Sequence, residues 1–301
     1  MEKNKGRVIK GLGGIYDVLC EDGQAVSCRA RGNIKRTDDK LFVGDFVAVS
    51  TDKDGSVIES VFERKNSLIR PPLSNIDYLF ITLATEKPTP ILSTVDKMTA
   101  IAVYNAITPV IIITKSDCSD LCNEYRRIYE NAGFDTLVCS SLTGEGIDAV
   151  REYVFSHLSG GKIGAFAGAS GVGKSTLMNA IFPDLSLETG DVSKKIGRGK
   201  HTTRHVQLYP VGNGGFLADT PGFSLLDFER FDFFELSDLI SAFPDLCEHS
   251  VNCRYADCTH SGEGAEECAV MRAAKDGLIE NSRLASYREL YATLKSKNPY
   301  K

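Results

Sequence analysis

No run in this chain approaches the roughly 20 consecutive apolar residues that a membrane-spanning helix needs. The opening residues, Met1-Glu2-Lys3-Asn4-Lys5, lack the apolar segment of a secretory signal. These two absences predict a soluble, cytoplasmic protein with no membrane partner. Basic charge is not in excess either: the net charge is −5, which argues against a simple nucleic-acid binder. There is no C-x2-C pair, and with no secretory signal the nine cysteines predict free thiols and a metal site rather than disulfides.

What is present is unevenly distributed. Residues 194–205 carry Lys194, Lys195, Arg198, Lys200 and Arg204 with no acid among them, the C-terminal stretch is basic on balance, and 227–268 is acidic. A local basic patch can bind phosphate backbones on an acidic protein, although a solvated surface is the ordinary reading of any one charge run.

At 301 residues the chain has room for two or three domains. Residues 7–65 read as five short strands, Arg7–Lys10, Tyr16–Leu19, Ala25–Ala30, Phe46–Val49 and Val57–Val61, with turn chemistry at Glu21-Asp22-Gly23 and Asp52-Lys53-Asp54-Gly55. That pattern suits a small barrel such as an OB-fold, and spacing does not separate an OB-fold from other small barrels. Pro71-Pro72 marks a boundary, beyond which strands (Ile76–Leu83, Val110–Ile113, Thr136–Cys139, Ile163–Ala167) alternate with helices (Leu92–Asn105, Leu121–Ala132, Ile147–Leu158, Thr176–Phe182). Such alternation predicts a parallel sheet covered on both faces. Gln207–Tyr209 and Gly215–Ala218 flank Gly212-Asn213-Gly214 as a hairpin, and after about 230 the pattern turns helical around a cysteine-rich loop. The expected domains are 1–68, a barrel; 73–228, an α/β domain; and 229–301, a mostly helical domain with a metal.

Gly168-Ala169-Ser170-Gly171-Val172-Gly173-Lys174-Ser175 fits the phosphate-loop pattern G-x-x-x-x-G-K-[ST] without a mismatch, between a strand and a helix that opens at Thr176. Glycines let the loop turn its N–H groups inward around phosphates. Lys174 is expected on the β- and γ-phosphates and the Ser175 hydroxyl on Mg²⁺. Asp219-Thr220-Pro221-Gly222 follows, with Asp219 a candidate for Mg²⁺ and the Gly222 N–H for the γ-phosphate. Between them, Gly197-Arg198-Gly199-Lys200-His201-Thr202-Thr203-Arg204 reads as a switch whose threonine closes over Mg²⁺, Thr203 first and Thr202 as the alternative.

Base reading falls upstream of the phosphate loop. In Thr114-Lys115-Ser116-Asp117 the Asp117 carboxylate can accept two hydrogen bonds from guanine N1 and N2, a donor pair that adenine lacks, and the stem of Lys115 can lie along the base. Thr114 stands where Asn is usual. The backbone of Ser140 and Ser141 can serve guanine O6. GTP and GDP are therefore the expected ligands, with an ATP-using protein as the competing class that Asp117 argues against.

Cys253-x4-Cys258-x-His260-x7-Cys268 offers three thiolates and an imidazole, a set that suits one structural Zn²⁺, with Cys247 as a rival ligand. The remaining cysteines (20, 28, 118, 122 and 139) read as reduced packing residues.

These motifs together resemble the circularly permuted small-ribosomal-subunit biogenesis GTPases, the RsgA or YjeQ family. The likeness runs nearly end to end and rests on the permuted order, Gly197 to Thr203, Asp219-Thr220-Pro221-Gly222-Phe223 and Cys253…Cys258-Thr259-His260…Cys268. It implies an OB-fold that binds RNA, a permuted GTPase domain, a zinc-binding C-terminal domain, and a monomer that assists late maturation of the small ribosomal subunit, with GTP hydrolysis stimulated by that subunit. Two departures stand out: Thr114 for Asn, and a His260–Cys268 gap two residues longer than the family's H-x5-C. Phe223 occupies the position where a Ras-type enzyme places its water-orienting Gln, so intrinsic hydrolysis is expected to be slow. The resemblance points to His201 as the water-positioning residue; contact with RNA is the competing reading. A nucleotide-gated RNA-binding module with incidental hydrolysis is the alternative function.

Overall fold

The computed structural model describes residues 3–31, 40–53, 55–183, 206–212, 214–219 and 233–297, with the backbone alone at 3, 52 and 219. The chain gathers into two compact units. One consists of Met1–Tyr78, Val154–Phe166 and Asp191–Phe223, the other of Leu79–Tyr153, Ala167–Gly190 and Ser224–Lys301.

The first unit opens with five strands: β1 (Lys3–Leu12), β2 (Ile15–Cys20), β3 (Ala25–Ala30), β4 (Phe46–Asp52) and β5 (Gly55–Val61). Their order is β1-β2-β3-β5-β4, and β4 pairs back onto β1, from Lys3↔Ser50 to Arg7↔Phe46, so the barrel closes without a free edge. Alternation supplies its core. Val8, Val18, Cys28, Val47, Val49 and Ile58 are buried together, as the period-two pattern requires. Buried Asp45 accepts from the Phe42 N–H at 2.8 Å, pairs with Arg64 at 2.7 Å and takes the Ser74 hydroxyl at 2.7 Å. It thereby ties the barrel to a small hairpin of β6 (Ser67–Leu68) and β7 (Leu73–Ser74), whose connecting turn holds Pro71-Pro72. Beyond the barrel, β12 (Gln207–Val211) and β13 (Gly215–Asp219) form the expected antiparallel hairpin, and β12 joins β1 at Lys10↔Gln207. β13 runs parallel to β11 (Ile163–Ala167), in the register Ala165↔Ala218.

The second unit contains β8 (Tyr78–Ala84), β9 (Thr108–Thr114) and β10 (Asp135–Val138) in the order β10-β9-β8, with β9 and β10 parallel. Six consecutive residues of β8 and six of β9 are buried. Continuous burial of this kind marks strands covered on both faces. The connections are α1 (Leu92–Tyr104), α2 (Leu121–Asn131) and α3 (Ile147–His157). Helix α4 (Lys174–Ile181) begins two residues before the expected Thr176, because Gly173 adopts φ 94° as its N-cap and places Lys174 and Ser175 already in the first turn. The C-terminal region is helical: short 3-10 turns at Leu236–Asp238 and Ile240–Ala242, then α5 (Pro244–Ser250), α6 (Ala269–Lys275) and α7 (Asn281–Lys297), with the cysteine-rich loop between α5 and α6. No helix among the described residues is long and apolar enough to cross a membrane.

Candidate nucleotide site and metal centre

The phosphate loop starts where β11 ends. A Cβ on Gly168, whose φ is 140°, would lie 2.3 Å from the Thr82 carbonyl oxygen and 2.5 Å from Thr82 Oγ1, so only glycine fits there. Gly171 and Gly173 also have positive φ, 81° and 94°. The Lys174 ammonium donates to the carbonyls of Gly168 (2.7 Å) and Ala169 (2.8 Å), folding back over its own loop, and burial lowers its pKa. The loop therefore forms a cradle at the N-terminus of α4, the arrangement that receives phosphate oxygens.

The base-reading segment lies against that cradle. Thr114 is buried at the end of β9, and its hydroxyl donates to the Val172 carbonyl at 2.6 Å; the Leu83 carbonyl is at 3.2 Å. The single hydroxyl that stands in place of Asn thus retains a direct tie to the phosphate loop. Lys115, at φ 57°, donates from Nζ to the Gly171 carbonyl at 3.0 Å and to the Lys87 carbonyl. Its own carbonyl takes the Thr85 hydroxyl at 2.6 Å. Asp117 is exposed, and its Oδ1 accepts a hydrogen bond from the Ser140 hydroxyl. That bond, ahead of all other causes, lowers the Asp117 pKa and keeps the carboxylate charged. Ser140 Oγ in turn accepts from the N–H groups of Leu142 (3.2 Å) and Thr143 (3.1 Å), so one buried serine ties both the loop at Leu142 and Thr143 and the Asp117 carboxylate.

His201, Thr202, Thr203, Gly222, Phe223 and the basic run from Lys194 to Arg204 lie outside the described residues, and Asp219 is described by its backbone alone, at the end of β13. Three positions escaped the sequence reading: Thr82, Thr85 and the Lys87 carbonyl. None belongs to a spaced motif; the only signal of the first two is burial of a threonine in an apolar strand or just beyond its end, and exposed Lys87 carries no signal at all.

In the C-terminal region, Cys253, Cys258, His260 and Cys268 converge, with their donor atoms all within 4.8 Å of one another. The Cys253 and Cys268 sulfurs are 3.9 Å apart, and His260 Nδ1 lies 3.6 and 3.4 Å from them. A tetrahedral Zn²⁺ with bonds of about 2.3 Å to sulfur and about 2.0 Å to nitrogen has donor–donor edges of roughly 3.5–3.8 Å, so the donor set fits that ion. Cys247, the rival ligand, is not part of this cluster. Burial lowers the His260 pKa, favouring the neutral ring that ligation needs, and raises the Cys258 and Cys268 thiols, which need a cation nearby to ionise. N–H groups of Ala269 (3.2 Å) and Met271 (3.5 Å) point at Cys253 and Cys268.

The longer His260–Cys268 loop is organised by Glu263. Its carboxylate accepts from the N–H groups of Thr259 (2.8 Å), Ser261 (3.0 Å) and Gly262 (3.1 Å) and from the Thr259 hydroxyl (2.8 Å). Burial alone would raise its pKa; hydrogen bonds from the Thr259 N–H and hydroxyl and from the N–H groups of Glu263 itself and Gly262 outweigh it and bring the carboxyl down to about 2. Of the other cysteines, Cys20, Cys28 and Cys139 are buried as expected, but Cys118, in the turn before α2, is exposed and Cys122, in the first turn of α2, is half-buried.

A phosphate loop braced by a T-K-x-D segment that precedes it in the chain defines a P-loop GTPase of permuted motif order. The chain belongs to the RsgA GTPase family: that family's profile matches residues 61–229, and the profile of the RsgA N-terminal domain matches residues 5–58. The chain is 38% identical to the small ribosomal subunit biogenesis GTPase RsgA of Caldanaerobacter subterraneus subsp. tengcongensis, over 99% of this chain and 98% of that one. It is 40% identical to RsgA of Halalkalibacterium halodurans, over 94% of each. Among solved structures it is similar to YjeQ from Thermotoga maritima, with a TM-score of 0.80 and 31% identity over 97% of this chain and 99% of that one. It is equally similar to YloQ, described as a circularly permuted GTPase, with a TM-score of 0.79 and 32% identity over 100% of this chain and 98% of that one.

Proposed function

We propose that this chain is a GTPase that assists late maturation of the small ribosomal subunit, binding its ribosomal RNA and hydrolysing GTP to GDP and phosphate when the subunit stimulates it. The observation that carries the reading is the hydrogen bond of Thr114 to Val172, which joins a guanine-type reader to a phosphate loop in one site. Relatives that match nearly end to end bear the name of small ribosomal subunit biogenesis GTPase.

In this reading Asp117 accepts hydrogen bonds from guanine N1–H and N2–H, Lys115 covers the base, and the backbone of Ser140 and Ser141 meets O6. Gly168 to Thr176 cradle the phosphates, with the Lys174 ammonium turning from its own loop to the β- and γ-oxygens and the Gly222 N–H meeting the γ-phosphate. Ser175, Thr203 and Asp219 would hold Mg²⁺, which would supply positive charge against the phosphates. His201 accepts a hydrogen bond from the attacking water, a task that Phe223 cannot perform. Ribosomal RNA, a polyanion, engages Lys194, Lys195, Arg198, Lys200 and Arg204 and so sets His201 and Thr203 in place. Residues 1–68 serve as an RNA-binding OB-fold, 73–228 as the GTPase domain, and 229–301 as a domain built on one Zn²⁺ held by Cys253, Cys258, His260 and Cys268. The protein acts as a monomer in the cytoplasm.

The test is the GTPase rate of the purified protein against added small and large ribosomal subunits. Small subunits are expected to raise it by orders of magnitude and large subunits to leave it unchanged. Equal stimulation by both, or by neither, overturns the reading.

A further inference from the structure

The phosphate loop is held from both ends by buried threonines on neighbouring strands, and one of them belongs to no nucleotide-binding motif. At the entry, Thr82 on β8 donates its hydroxyl to the Ala167 carbonyl at 2.7 Å, one residue before Gly168. Gly168 then packs directly on Thr82, with no room for a Cβ. At the exit, Thr114 at the end of β9 donates to the Val172 carbonyl at 2.6 Å, one residue before Gly173. Both threonines are almost fully buried, at 1% and 2% exposure, so water does not compete for either bond.

The two bonds act on carbonyls, not on the N–H groups that face phosphate. A peptide unit is planar, so fixing the oxygen of Ala167 fixes the direction of the Gly168 N–H, and fixing the oxygen of Val172 fixes that of the Gly173 N–H. A glycine-rich loop otherwise samples many backbone states, and ordering it at the moment of binding would weaken affinity. Valine in place of either threonine would fill the same volume and leave a buried carbonyl short of one donor.

We propose that Thr82 and Thr114 are positioning residues that preset the phosphate loop from its two ends, Thr82 acting on the phosphate side alone and Thr114 on both phosphate and base. The proposal rests on the GTPase reading above. Failure of that reading is recognised separately, because the wild-type protein would then bind no GDP.

The test compares affinities for GDP and for guanosine in the full-length protein, with thermal unfolding measured in parallel. Thr82→Val is expected to lower GDP affinity about tenfold, as for the loss of one hydrogen bond, while guanosine affinity stays within about twofold because the hydroxyl removed bonds the Ala167 carbonyl at the entry of the phosphate loop. Thr82→Ser, which keeps the hydroxyl, is expected to restore GDP affinity. Thr114→Val is expected to weaken GDP and guanosine together. Should Thr82→Val prove too unstable to purify, Thr82→Ala removes the hydroxyl without the added methyl and gives the same comparison. Unchanged GDP affinity in the Thr82 variant, an equal loss for guanosine and GDP there, or no recovery with serine would each overturn the role assigned to Thr82.

Discussion

In the guanine site proposed above, discrimination at the base rests on one carboxylate and the serine beside it. Asp117 is exposed, so its orientation depends on the Ser140 hydroxyl that it accepts. Replacing it in Asp117→Asn puts a donor where the guanine N2 amine also donates. GDP affinity is expected to fall by at least about tenfold and xanthosine diphosphate to bind better than in the wild type, measured by competition. In the same proposal Ser140 bears on the pH dependence of that recognition. The Asp117 pKa is lowered, so the charged form, which in the proposed site accepts hydrogen bonds from guanine, is present above the folded-state pKa and lost as pH falls through it. Ser140→Ala removes the leading cause of the shift, and the acidic limb of a GDP-affinity profile is expected to move to higher pH. An unmoved limb would show that Ser140 serves the loop at Leu142 and Thr143 only.

Two elements of the C-terminal region owe their shape to single side chains. The loop between His260 and Cys268 is longer than its family's pattern, yet both residues reach the same cluster because Glu263 gathers the N–H groups of Ser261 and Gly262 within the loop and the N–H and hydroxyl of Thr259 just before it. Glu263→Ala leaves those donors without their acceptor. Zinc is expected to be lost to a chelator at a concentration lower by about 10–100-fold, the usual effect of removing support behind metal ligands, read with a metallochromic indicator. Helix α7 is anchored by Arg283, which is fully buried, bonds Asp245 through two nitrogens (3.0 and 2.8 Å) and Asp96 on α1 through a third (2.8 Å), and faces the ring of Phe243 at 4.8 Å. Burial pushes the Asp96 pKa up and Arg283 opposes it, so removing the guanidinium leaves two carboxyls without a counter-charge. Arg283→Ala is expected to cost about 3–5 kcal/mol in denaturant unfolding, whereas Lys97→Ala, which breaks only the exposed pair with Glu289, is expected to cost about 1 kcal/mol or less.

For the whole molecule, the cysteine cluster, α7 and the helices flanking the base-reading strand lie in one compact unit. Tyr287 of α7 donates to the Thr259 carbonyl at 3.2 Å, and Glu280, just before α7, pairs with Arg127 and Asn131 of α2 at 3.2 and 2.9 Å. Chelation is therefore expected to lower the temperature of unfolding of that unit and to raise hydrogen exchange in α6 and α7, because metal that binds only the folded form contributes its binding energy to folding. Unaltered exchange after complete metal removal would show that the packing around Phe243 and Tyr287 suffices.

By itself the sequence determined the class of chemistry. Phosphate cradling requires glycines, a lysine and a serine at fixed offsets, base reading requires a carboxylate after a strand, and a tetrahedral metal requires four soft donors close together. Each requirement leaves its mark on a short stretch of chain, as at Gly168 to Ser175 and Cys253 to Cys268. The barrel strands were legible for a related reason, since inward and outward residues alternate with the pleat. Only the tertiary structure decided which groups hold those motifs in place. Thr82 meets Ala167 across 85 residues and Arg283 meets Asp96 across 187. Burial of a threonine in an apolar strand, or of an arginine in a largely polar helix, leaves no spacing rule to read. Thr114 shows the same division within one residue: as a letter it departs from the expected Asn, and only its position beside Val172 reveals that a lone hydroxyl is enough to keep the tie, because the bond it makes needs one donor aimed at one carbonyl.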